Sequence, residues 1–145
     1  MKEKKEEKNS LRKKIREEMT ADYSSLLWKN FDLAKQLIRI STGGKVDILN
    51  KDDLNGKEKI LLYLIGKLYA REAGYTTTEK TGNKELVNEL GIPEGSLLPW
   101  LKDLRDDRSM IRRSKKGRYS SHNISINWVE RILKDARKKI ANKDI

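Results

Sequence analysis

Residues 91–104 read GIPEGSLLPWLKDL. Ile92, Leu97, Trp100, Leu101 and Leu104 recur at helical spacing, so one face of a short helix is apolar. Pro99 sits inside that pattern. Proline is tolerated in the first helical turn, whose amides have no intrahelical partner. A helix that starts near Ser96 accepts Pro99 there, whereas one that starts at Pro93 must bend at it. Immediately upstream, Asn83 is placed to cap the segment KELVNEL, and Gly91 to end it in a left-handed turn that glycine adopts without strain. The stretch is thus the second of two short helices joined by a Gly-Ile turn.

Working outward, Asn55 is a candidate N-cap for the helix GKEKILLYLIGKLYAREAG, which stops at Gly74. Ile60, Leu61, Leu62, Leu64, Ile65 and Leu68 make it apolar nearly all round, the pattern of a helix buried on more than one side. Ahead of it, Ile38, Ile40, Val46 and Ile48 alternate about Gly43-Gly44, which predicts a β-hairpin. Residues 23–38 carry Tyr23, Leu26, Leu27, Phe31, Ala34 and Leu37 at helical spacing, with Asp22 as the expected cap. Residues 1–9 mix Lys and Glu without an apolar residue after Met1 and are predicted to be disordered, with a helix beginning near Ser10.

Downstream, residues 108–118 read RSMIRRSKKGR, six cations and no acid, in a chain whose net charge is +11. The pattern predicts a strand from Met110 to Ser114, a turn Lys115–Arg118 and a second strand from Tyr119, with Ile124 and Ile126 on one face. His122 on that strand is expected to be exposed. Trp128, Ile132, Leu133, Ala136 and Ile140 form the stripe of a last helix that begins after Asn127. The predicted core is Leu61, Leu64, Leu86, Leu90, Leu101 and Leu104, with Trp100 nearby.

The order helix, short helix, Gly-Ile turn, helix, strand, basic turn, strand resembles the winged helix-turn-helix family. The residues that carry the resemblance are Leu86-Val87-x-x-Leu90-Gly91-Ile92-x-x-x-Ser96-Leu97-x-x-x-Leu101, and it covers about residues 57–126. Val87 stands where the family usually has a smaller residue. Gly95–Leu104 is similar to the recognition helix of PadR-like regulators, which also carry a proline there; the overall type is that of PadR/MarR-like transcriptional regulators. The resemblance implies a mainly α fold with small β content. A charged, partly disordered tail (1–20) and a helix plus β-hairpin extension (21–55) precede the winged helix-turn-helix domain (56–126), and a C-terminal helix (127–145) follows. It also implies a sequence-specific, double-stranded-DNA-binding transcriptional regulator that uses the helix-turn-helix (83–107) and a basic wing (108–126).

On that reading, the DNA-binding candidates are Ser96, Lys102 and Arg105 on the helix, Lys102 and Arg105 being able to donate to guanine edges. On the wing they are Arg112, Arg113, Lys115, Lys116 and Arg118, placed to meet phosphates. Ser120, Ser121 and Asn123 are available for neutral phosphate contacts. Glu94, Asp103, Asp106 and Asp107 would repel phosphate if they lay close to it. They favour the competing reading, a winged-helix protein-interaction module in a nucleic-acid-processing assembly.

The chain has no cysteine and one histidine, which excludes disulfides, thiolate metal sites and cysteine nucleophiles. Neither GxxxxGK nor HExxH occurs. The expectation is a protein that is not an enzyme and holds no cofactor or metal. No apolar run approaches the ~20 residues of a membrane span, and the N-terminus lacks the apolar segment of a secretory signal, so a cytoplasmic, nucleoid-associated protein without membrane contact is expected. Apolar stripes near both termini (Leu26, Leu27 and Phe31; Trp128, Ile132 and Ile140) predict a homodimer, which would set two modules on one duplex.

Overall fold

The computed structural model describes residues 2–19 and 23–143. Asp22, the expected cap, lies outside them. The chain runs α1 (Lys2–Lys14), a π turn (Ile15–Met19), α2 (Tyr23–Lys29), the short α3 (Phe31–Ala34), β1 (Ile38–Ile40), β2 (Val46–Ile48) and α4 (Gly56–Glu72). It continues through β3 (Thr81–Gly82), α5 (Asn83–Leu90), α6 (Glu94–Lys102), a second π turn (Asp103–Asp107), β4 (Ile111–Lys116), β5 (Tyr119–Ile124) and α7 (Val129–Lys143). The described residues are mainly helical, with two small antiparallel sheets, β1-β2 and β3-β5-β4.

The core elements from β1 to α7 pack around α4. Its start is held by a capping box: the Glu58 amide donates to Asn55 Oδ1 at 2.9 Å, and the Asn55 amide donates to the Glu58 carboxylate at 2.9 Å. The same carboxylate accepts from Lys139 of α7. Residues 60–68 of α4 are all buried. The β1–β2 register, Ile38↔Ile48 and Ile40↔Val46, turns Ile38, Val46 and Ile48 onto α4. Gly66 makes room for them. A Cβ there would lie 2.4 Å from Val46 Cγ1 and 3.2 Å from Ile38 Cγ2. Of the two hairpin glycines, Gly44 alone takes the left-handed conformation, at φ 82°.

The five core leucines Leu61, Leu64, Leu86, Leu101 and Leu104 are buried in one cluster as expected, while Leu90 and Trp100 sit half-buried at its edge. Trp100 covers the first turn of α4 so closely that a Cβ on Gly56 would fall 2.0 Å from its ring.

The stripe of α7 corrects an expectation. Val129, Ile132, Leu133, Ala136 and Ile140 are buried within this chain, where α7 packs on α4 and α3. It is not free to form a dimer interface. Leu27 is likewise buried and Leu26 half-buried. What stays exposed is a stacked pair, Trp28 (81% exposed) and Phe31 (45%), with ring centroids 6.2 Å apart. At the N-terminus the structure carries α1 from Lys2 onward. The segment holds no Gly or Pro and is rich in the strong helix formers Lys, Glu and Arg, and its described side chains are exposed.

The strand β3 falls between Gly74, the expected stop of the long helix, and Asn83, a stretch in which the sequence shows no strand pattern. At two residues it is too short to show a period, and it exists because β5 offers its free edge: Thr81 pairs with His122 and Gly82 with Ser121.

Candidate nucleic-acid interface

α5 and α6 meet at Gly91, which has the left-handed conformation expected (φ 65°, ψ 27°). α6 then begins at Glu94, with Pro93 as the residue before it; the Pro93 carbonyl accepts from the Ser96 and Leu97 amides at 3.0 and 2.9 Å. Pro99 is therefore the sixth helical residue and lies beyond the first turn. Having no N–H, it leaves the Gly95 carbonyl without its intrahelical donor. Leu97 and Leu101 face the core, Trp100 is half-buried, and Glu94, Gly95, Leu98, Pro99 and Lys102 are exposed. Ser96 is half-buried, at the border of that face.

Two of the four acids that argued against a DNA-facing helix, Asp103 and Asp106, are engaged by cations within the chain. Asp103 accepts from Lys57 at 2.7 Å and pairs with Arg108 at 3.1 Å; the Lys57 hydrogen bond, with the two cations, holds its carboxyl below the usual range. Asp106 takes Arg105 Nε and Nη2 at 2.8 and 3.2 Å, and that bond lowers its pKa too. Arg105 departs from the expectation of a freely exposed base reader. Its side chain is only 19% exposed and forked onto Asp106. Lys102 remains exposed, without an ion pair among the described residues.

β4 and β5 pair from Ile111↔Ile124 to Lys116↔Tyr119, so the strands extend further than the sequence suggested and the loop shrinks to Gly117-Arg118. Gly117 has φ 62° and Arg118 does not share the positive sign, the pattern of a two-residue turn that takes glycine first. Residues directly opposite on paired strands share a face, and neighbours along a strand do not. Arg113 and Lys115 thus lie on the face of His122 and Ser120, which nearer the core also carries Ile111 and Ile124. Arg112 and Lys116 lie on the other face, with Asn123 and Tyr119. The adjacent Arg112 and Arg113 are thus split across the two faces of the sheet. All five cations, Arg112, Arg113, Lys115, Lys116 and Arg118, are exposed, and none makes an ion pair among the described residues.

His122 is not the exposed residue expected. It is 2% exposed, beneath β3, and its Nε2 donates to Asn83 Oδ1 at 2.6 Å. Asn83 accordingly does not cap α5; Gly82 occupies the cap position and Asn83 is the first helical residue. The bond ties the start of α5 to the middle of the sheet. Nδ1 is buried without a partner. Burial first, and then the nearby guanidinium groups of Arg105 and Arg113, push the imidazole pKa down to about 4.

Between the hairpin and the start of α5 lies a groove of about 700 Å³, lined in part by Lys84, Glu94, Lys116, Arg118 and Tyr119. No family model, curated protein or solved structure matches this chain significantly. The site therefore rests on its own geometry.

That geometry adds two residues to those read from the sequence. Lys84 is exposed in the first turn of α5, 32 residues before Lys116 in the chain yet in the same groove. Tyr119 is 82% exposed at the hairpin end. A lone lysine near acids carries no sequence signal; pairing through β3 is what brings it there. Among the described residues no cluster of His, Asp or Glu is arranged to hold a metal ion, and no helix is long and apolar enough to cross a membrane.

Proposed function

We propose that residues 56–126 form a winged helix-turn-helix and that the chain is a sequence-specific, duplex-DNA-binding transcriptional regulator, acting as a homodimer in the cytoplasm at the nucleoid. The connectivity α4-β3-α5-α6-β4-β5 with sheet order β3-β5-β4 supports the fold. The single observation that carries the function is the β4–β5 hairpin with five exposed cations and no ion pair among the described residues, beside a helix whose following turn has Asp103 and Asp106 already engaged. Cations without protein partners are available to displace condensed counterions from a phosphate backbone. Lys102 is the donor on α6 best placed to reach a base edge, and Ser96 borders it. Arg105 must first leave Asp106.

The test is a salt titration of binding to random-sequence duplex. Lys115→Ala, Lys116→Ala and Arg118→Ala together should weaken binding to every duplex and flatten the slope of log K against log salt by ~0.9 per lost phosphate contact. An unchanged slope and affinity would remove DNA from the hairpin. The exposed Leu98 and Pro99 on α6 favour a second reading, a protein-interaction module, and that result would put it first.

A further inference from the structure

Two apolar surfaces of this chain are exposed and complementary in form. One is a groove of about 520 Å³ beside the Trp28–Phe31 stack, whose floor includes Leu27, Tyr69 and Ala73. The Tyr69 hydroxyl donates to the Leu27 carbonyl at 2.8 Å, so the floor is held in place by α4. The other is a ridge. Leu11, Ile15 and Met19 follow one another at intervals of four residues along α1 and the turn that continues it, and all three are exposed. Side chains four apart lie one above another on a helix, so the three form a single narrow stripe.

We propose that the ridge of one copy seats in the aromatic groove of a second copy, reciprocally, so that two chains exchange their N-terminal helices. The inference rests on the homodimer proposed above and supplies the interface that α7 does not; it does not depend on DNA binding. Charge favours this occupant. Lys8 and Arg12 flank the stripe on α1, and the groove carries Glu72 at its rim. The cations Lys29 and Lys35 that border the aromatic pair are engaged by Glu130 and Asp32, whereas among the described residues Glu72 accepts only from the neutral Ser24 hydroxyl. The charge left at the groove's rim is thus acidic, opposite to the basic flank of the ridge. A twofold axis doubles each contact, as an isologous pair requires. Two aromatic and three aliphatic side chains from each copy cover on the order of 1,000 Å², which reaches the lower bound for a specific interface.

The experiment is sedimentation of the full chain at tens of micromolar, with circular dichroism melting to confirm folding. Two paired variants are compared with the parent, Leu11→Glu/Met19→Glu on the ridge and Trp28→Glu/Phe31→Glu in the groove. All four residues are exposed, so neither variant disturbs the core. The expected result is a parent dimer and two folded monomers. Mixing the two variants restores one intact contact, the groove variant's ridge in the ridge variant's groove, so the mixture should associate more than either variant alone; a mixture no more associated than its components overturns the exchange. A dimer that survives the ridge variant overturns the exchange while leaving a homodimer in place. A monomeric parent overturns both. As a positive readout, Arg12→Cys in one copy and Ser25→Cys in another, in a chain that otherwise lacks cysteine, should cross-link between differently tagged chains. A cross-link confined to single chains carrying both substitutions would place the ridge in its own groove and refute the exchange.

Discussion

Lowering the pH from 7 to 5 should destabilise the fold by one to two kcal/mol through a single group. His122 is the only histidine in the chain, and its folded pKa is pushed from 6.5 to about 4, by burial first and by Arg105 and Arg113 second. A depressed histidine pKa means that the unfolded chain takes up the proton first. The stability is therefore fully present above about pH 6.5 and is lost as pH falls through the window from 6.5 to about 4. For those two pKa values the linkage relation gives a loss of about 2 kcal/mol between pH 7 and pH 5. The guanidinium share of the shift is screened by solvent and salt, which lowers the figure toward ~1. The carboxylates of Asp103, Asp106 and Glu130, whose pKa values are lowered by their cationic partners, keep their contribution at pH 5 and lose it only as the pH falls further. Two measurements check the argument. The one imidazole resonance should titrate in the folded protein well below pH 5.5, and urea unfolding should show the loss, with His122→Gln flattening the slope of stability against pH. A folded titration near 6.5, or stability level from pH 7 to 5, would refute the burial argument and with it the bond that holds α5 to the sheet.

Three further outcomes follow from packing and register. Leu64→Ala should cost ~2–5 kcal/mol in urea unfolding, since Leu64 is fully buried in the middle of α4. Gly66→Ala should be destabilising by ~1–2 kcal/mol despite the helix-propensity gain of up to ~1, because its methyl must displace Val46; Gly95→Ala, with nothing within 4 Å of its Cβ, should instead stabilise. In salt titrations of duplex binding, Arg112→Ala should change the slope less than Lys116→Ala, because the two share a face of the hairpin but Arg112 sits near its base and Lys116 at its tip.

Where a pattern is long, the residues announce the structure. The all-round apolar run of α4, the alternation in 38–48 and the Gly91 turn each appear where local chemistry requires them, because each depends on neighbours within a few positions. What the pattern could not show depends on partners far along the chain. β3 forms only because β5 presents an edge, and that pairing buries His122. The stripe of α7 looked uncovered because α4 and α3, which cover it, carry no local mark of doing so. Arg105 and Arg112 illustrate the same limit at the candidate site. One is withdrawn by the acid next to it, and the other is separated from its neighbour by the alternation of the strand.

The charge of the candidate surface has to be counted after pairing, and the count changes its meaning. The run 108–118 holds six cations, but Arg108 pairs with Asp103, so the part available to a partner begins at Arg112. On α6 and its continuing turn, Asp103 and Asp106 are engaged by Lys57, Arg108 and Arg105. Three cations are spent on two carboxylates, and of the turn's three acids Asp107 alone is left without a cationic partner among the described residues. The exposed remainder of α6 is Glu94, Leu98, Pro99 and Lys102, too weakly charged to supply affinity. It is suited to shape and apolar contact, such as the thymine methyl group a major groove displays. The two elements accordingly divide the work on the proposed reading: the hairpin attracts a phosphate backbone of any sequence, and the helix, once held against it, discriminates among bases with few donors. Phosphate contacts fix position without carrying sequence information, and base contacts do the reverse. A helix relieved of the need to attract DNA can carry Glu94 at its start without abolishing binding.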